Sequence, residues 1–211
     1  MSKPGQPLMR PLAKAILCAA LLTSLSGCVE MMVGGAVMGA VATADRRTLG
    51  AQTEDKTMTV KSELRVPKMA GNDAHVNIAS FNRKVLLTGE VRDEATKSKV
   101  ESEVRSIGGV ESIANELEIS GPSSYTSRSS DALITTKVKA SLVDMKTISA
   151  TSFKVVTERG TVYLMGRVTQ REGQVAADVA RGVSGVQRVI KIFDYITEDE
   201  LRLLQPPKPG L

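Results

Sequence analysis

Side chains able to do covalent or metal chemistry are scarce in this 211-residue chain, which has one His, two Cys and no Trp. His75 follows Asp73 in a polar stretch that reads as a surface turn. A general base there would need a nucleophile and an orienting group that the sequence gives no reason to place nearby. Ser184, within Gly182-Val183-Ser184-Gly185, has the wrong glycine spacing for a nucleophile elbow and joins a helix pattern to a strand pattern rather than the reverse. So few His and Cys cannot build a histidine- or cysteine-rich metal site or a disulfide framework. No glycine loop has the spacing that cradles a phosphate. The expectation is no catalytic residue, no metal ligand and no cofactor, which disfavours a hydrolase and most redox classes.

Cys28 is the one thiol in a chemically suggestive setting. Lys3, Arg10 and Lys14 lead, without an acid, into the apolar run 15–25, the order of a secretory signal peptide. That run is about half the roughly 20 residues that span a bilayer, which argues against a transmembrane anchor. Leu25-Ser26-Gly27-Cys28 resembles a bacterial lipobox. The resemblance implies that residues 1–27 are removed and that the Cys28 thiol is joined to diacylglycerol. Cys18 follows Leu17, too large for the position before cleavage, and is read as part of the hydrophobic stretch. Val29 stands where lipoproteins retained in the inner membrane usually carry Asp, which implies export to the outer membrane. Residues 28–53 form a lipidated tether whose uncharged part, 31–42, is either a short helix lying in the bilayer interface or a flexible apolar segment.

The rest of the chain is organised by a repeat. Val85-Leu86-Leu87-Thr88-Gly89-Glu90-Val91 recurs as Val162-Tyr163-Leu164-Met165-Gly166-Arg167-Val168, 77 residues on, and Gly109-Val110-Glu111-Ser112-Ile113 recurs as Gly185-Val186-Gln187-Arg188-Val189. Two modules follow, 54–120 and 131–197. Val60 and Leu64, or Ile134, Val138 and Leu142, mark a first helix, which Pro67 shortens in the first copy. Alternating runs then flank a turn at Asn82-Arg83 or at Glu158-Arg159-Gly160. Val100, Val104 and Ile107, or Ala176, Val179, Ala180 and Val183, mark a second helix that stops at a glycine turn before a last strand. The order αββαβ predicts an α+β fold: two tandem modules, each a three-stranded mixed sheet with both helices on one face. A Ser-rich linker, 121–130, and a Pro-rich tail, 198–211, carry no apolar period.

This order, with its Gly-Val turn before the last strand, resembles the BON domain family, named for bacterial outer-membrane and nodulation proteins. Asp45-Arg46-Arg47-Thr48-Leu49-Gly50, Ile134-Thr135-Thr136-Lys137-Val138, Tyr163-Leu164-Met165-Gly166 and Val183-Ser184-Gly185-Val186 resemble the dual-BON lipoproteins of that family. The resemblance implies a non-enzymatic protein at the periplasmic face of the outer membrane. It also implies binding of anionic phospholipid through the first helix of the second module, gathering at the division site and support of envelope integrity. Those lipoproteins carry Trp directly before the Ile-Thr-Thr-Lys-Val run; this chain carries Leu133.

The residues give this separate support. Residues 54–120 hold ten Lys/Arg against twelve Asp/Glu, whereas 131–196 hold ten against six, so the second module is the basic one. Each cation near an anionic membrane contributes about 1 kcal/mol, less as salt rises. On its first helix Ile134, Val138, Ser141, Leu142 and Met145 make a core face, and Leu133, Thr136, Lys137, Ala140 and Val143 make the opposite one. The second set is the candidate phospholipid-binding surface, for phosphatidylglycerol or cardiolipin. The alternative is that Leu133 and Val143 pack on the other module or a loop. A competing function is that of a structural adaptor binding envelope proteins. Nucleic acid is an unsuitable partner, because the basic module lacks stacking aromatics and the export signal sends it elsewhere.

Overall fold

A computed structural model describes residues 45–71 and 73–204. The expected signal peptide, Cys28, the tether up to 44 and the Pro-rich end of the tail lie outside the described residues.

In the first module α1 (Leu49–Ala70) precedes β1 (His75–Phe81), β2 (Lys84–Val91), α2 (Glu94–Arg105) and a third strand in two pieces, β3 (Ser112–Asn115) and β4 (Glu118–Ile119). The second repeats the order with α3 (Tyr125–Asp144), β5 (Phe153–Glu158), β6 (Thr161–Val168), α4 (Gln170–Arg181) and β7 (Arg188–Tyr195), and α5 (Glu198–Leu204) follows. Each sheet is mixed. The central strand, β2 or β6, is antiparallel to its hairpin partner and parallel to the last strand. Both helices of a module cover one sheet face, as Val66, Ala70, Val100 and Val104 do against Ile78, Val85, Leu87 and Val91. The αββαβ expectation is realised.

Each hairpin turns through two residues at positive φ, Asn82 and Arg83 (50° and 63°) or Arg159 and Gly160 (48° and 72°), the left-handed pair of a tight turn. Three of these four are not glycine, and the strain is held by a buried carboxylate on the module's first helix. Asp55 accepts the Asn82 and Arg83 backbone N–H groups at 2.7 and 2.8 Å. Asp131 accepts those of Arg159 and Gly160 at 2.9 and 2.8 Å. Helix and hairpin are thereby locked together twice over.

Four expectations about the helices and their connections need correction. Pro67 does not shorten α1, which continues to Ala70; a proline in the last turn removes a single helical hydrogen bond, and the buried Val66 and Ala70 hold the turn. Val60 and Leu64 are not core residues but exposed. The buried face is Met58, Ser62, Val66 and Ala70, and Ser62 fits there because its hydroxyl donates to the Met58 carbonyl at 2.8 Å. The linker is shorter than expected, since Tyr125–Ser130 belong to α3, capped by Ser124, whose hydroxyl accepts the Ser127 N–H at 3.1 Å. The tail opens with α5, which Thr197 and Glu200 cap reciprocally and Leu201 pins to the core.

Both modules lie in one compact unit of the chain, and their sheets meet through the faces that the helices leave bare. Ala79, Phe81 and Leu86 pack on Tyr163 and Met165, with Ala114, Val156, Ile190 and Ile192 alongside. Polar bonds edge this seam. Lys84 Nζ reaches Asp194 Oδ1 at 2.7 Å, and Lys154 Nζ donates to the Ser80 carbonyl at 3.1 Å. The segment before α1 spans it: Arg46 forks onto Glu172 at 2.7 and 2.7 Å, and Arg47 pairs with Asp45 and Asp55 while lying over the Phe81 ring.

Candidate functional site

The helix α3 has two faces of different character. Asp131, Ile134, Val138 and Leu142 are buried. Leu133 is 64% and Val143 70% exposed, so the described part of the other module does not cover them, and Thr136, Lys137 and Ala140 are exposed between them. The Thr136 hydroxyl donates to the Ala132 carbonyl at 2.9 Å, satisfying its polar atom within the helix. At 100° per residue, Tyr125 falls on the same side as Thr136 and Val143. It is 84% exposed, with the Arg128 guanidinium 4.4 Å from its ring centroid. The surface thus joins two aliphatic side chains, an aromatic with a polar tip and the cation Lys137, a composition suited to the boundary between lipid headgroups and acyl chains.

A second cluster lies at the end of the seam. His75 and Glu90 are register partners on β1 and β2, facing the second module, and Glu158 ends β5 opposite them. His75 Nδ1 is 3.5 Å from Glu90 Oε2 and 3.9 Å from Glu158 Oε1. Glu90 is fully buried; its Oε2 accepts the Ser123 N–H at 2.9 Å, and Arg159 Nε stands 3.4 Å from its Oε1. Burial, then the charges of Glu90 and Asp131, push the Glu158 carboxyl up to about 7, against the pull of Arg128 and Arg159. His75, Glu158, Asp131 and Arg128 line a cavity of about 450 Å³. The expectation that His75 sits alone on a surface turn is therefore wrong: it begins β1, in a seam whose existence only tertiary structure reveals.

Residues 54–121 and 130–196 match the BON domain family. The chain belongs to that family. Over 190 residues it is 37% identical to the outer membrane lipoprotein DolP of Haemophilus influenzae, covering 89% of this chain and 98% of that one. It is 32% identical to the 21 kDa hemolysin of Actinobacillus pleuropneumoniae, over 72% of this chain and 79% of the relative. It is 45% identical over 60 residues to osmotically-inducible protein Y of Escherichia coli, 28% of this chain and 30% of that one. The chain is a dual-BON lipoprotein of the outer membrane. No helix among the described residues is long and apolar enough to cross a membrane.

The five α3 residues picked out by periodicity share one exposed BON-module face. Tyr125 and Arg128 escaped notice because their segment reads as linker. The seam cluster escaped because its members are distant in sequence, though the strict alternation of β1 and β2 places His75 and Glu90 on one face once the hairpin register is drawn.

Proposed function

We propose that the second BON module docks onto anionic phospholipid through the outer face of α3, while a diacylglyceryl group on Cys28 holds the protein to the periplasmic face of the outer membrane. The observation that carries this reading is the exposure of Leu133 and Val143 on the side of α3 opposite its core, with Lys137 between them. Burying one such aliphatic side chain contributes about 1.5–3 kcal/mol, and a cation near the headgroups about 1 kcal/mol. Docking then adds to the lipid anchor and turns one face of the module to the membrane. Gathering at the division site and support of the envelope rest on the family resemblance.

The test uses residues 45–204, which carry neither the acyl acceptor nor the apolar N-terminal segments, mixed with vesicles of phosphatidylglycerol or cardiolipin and with zwitterionic controls. Binding should favour the anionic vesicles, fall as salt rises, and drop at least about tenfold in Leu133→Glu/Lys137→Glu, which touches no core residue. Unchanged sedimentation of a folded double mutant would give the lead to the adaptor reading. That reading has its own support in the exposed Leu49, Val60 and Leu64 on the outer side of α1.

A further inference from the structure

We propose that the seam between the two BON modules is a binding site for a zinc-like divalent cation, held by His75 Nδ1, Glu90 and Glu158. The three residues each present a donor atom, all within 4.8 Å of one another. In a tetrahedral site with bonds of about 2.0–2.2 Å, neighbouring donors stand about 3.4 Å apart. The separations of 3.5 Å between His75 Nδ1 and Glu90 Oε2 and of 3.9 Å between His75 Nδ1 and Glu158 Oε1 are close to that spacing. The Glu90 and Glu158 oxygens lie within 4.8 Å of one another, and a rotamer change would draw them to that spacing.

Two of these groups have unmet bonding capacity. His75 Nδ1 is buried without a hydrogen-bond partner, and so is Glu90 Oε1, although its residue is wholly inside the protein. Such atoms are uncommon in folded chains, because burial costs each its hydration; Glu90 Oε1 has in exchange only the 3.4 Å approach of Arg159 Nε, and His75 Nδ1 the 3.5 Å approach of Glu90 Oε2. Asp131 does not compete for the cation, since its oxygens already accept the Arg159 and Gly160 N–H groups. Two cations flank the site. Arg128 lines the same cavity and lies over the Tyr125 ring; Arg159 Nη1 donates outward to Glu118 and Ser120, leaving only the longer Nε approach to Glu90.

The donor set chooses the ion. One imidazole nitrogen and two carboxylates suit zinc or a neighbouring transition ion, whereas Mg²⁺ and Ca²⁺ ask for six or more oxygens. The cavity beside His75 and Glu158 leaves a path for the ion and room for a water in the fourth position. Because His75 and Glu90 belong to one module and Glu158 to the other, the bound ion would bridge the two.

The experiment uses the full chain in detergent, without a histidine tag and with Cys18→Ala and Cys28→Ala so that no thiol competes, after stripping with chelator. Calorimetric titration with ZnCl₂ should show one equivalent bound, with a rise in the unfolding temperature. Mg²⁺ at equal concentration should give neither. His75→Ala and Glu158→Gln should each weaken zinc binding at least about tenfold. Glu158→Gln keeps the side-chain shape and relieves a like-charge contact, so it should unfold in chelator no earlier than the parent, which separates loss of a ligand from loss of the fold. No uptake by the stripped parent, parental affinity in either variant, or an equal response to Mg²⁺ would overturn the proposal.

Discussion

Folding changes the protonation of Glu158. Its carboxyl leaves water for a place beside Glu90 and Asp131, and its pKa moves from 4.5 to about 7. The folded chain therefore binds a proton that the unfolded chain has already released between those two values. The stability that Glu158 contributes is complete below about pH 4.5, falls as pH rises to about 7 and is level above that, by an amount on the order of 3 kcal/mol. In chelator, urea midpoints taken across this interval should fall for the parent relative to those of Glu158→Gln; equal slopes would mean that the carboxyl is better solvated than its burial implies. None of this is legible locally. Glu158 reads as part of a polar turn next to Arg159 and Gly160, and His75 as one polar residue among others. Their meeting depends on strand register and on a contact between modules that no short window of sequence contains.

At the scale of the element, α3 shows what periodicity can and cannot deliver. Ile134, Val138 and Leu142 repeat every four residues and are all buried, so both faces of the helix follow from spacing alone. The same method failed on α1, where Ser62 occupies a core position and the apolar Val60 and Leu64 face outward. A serine satisfied by its own helix is silent to a hydrophobicity pattern. The N-terminal turns of α3 were equally silent, because Ser and Thr suit a linker as well as a capped helix start. The outer face of α3 has an aliphatic anchor at Leu133 and an aromatic one only at Tyr125. Trp combines a large apolar surface with an N–H that suits the headgroup boundary. Leu133→Trp should therefore tighten binding to anionic vesicles several-fold without moving the unfolding temperature, because the position is exposed. A variant that binds no better in a vesicle sedimentation series would place the contact elsewhere on the module.

Across the whole described molecule, the two sheets lie face to face, with helices on the two outer sides. One signal for this was present in the sequence. The central strands carry the runs Val85-Leu86-Leu87 and Val162-Tyr163-Leu164-Met165, whereas a sheet with one wet face alternates. Unbroken apolar runs mean that both faces are covered, and the second cover here is the other module. The seam also explains the Asp45-Arg46-Arg47 segment, where each arginine serves a different module. Arg46 donates to Glu172 and to the Arg167 carbonyl in the second, and Arg47 holds Asp55 in the first. Burial by itself would raise the Glu172 carboxyl; the Arg46 hydrogen bonds and the Thr169 N–H outweigh it and keep the group below its ordinary value. Side-chain exposures of 9% for Arg46 and 3% for Glu172 mark the pair as buried. Removing Arg46 strands a carboxylate that cannot reach water, which costs about 3–5 kcal/mol in comparable pairs. Arg46→Ala should lower the urea midpoint accordingly. Arg46→Lys should recover only part of the loss, because an ammonium cannot match the two-pronged contact with Glu172. Full recovery by lysine would reduce the contact to simple charge, and no loss in the alanine variant would mean that this segment does not fasten the modules together.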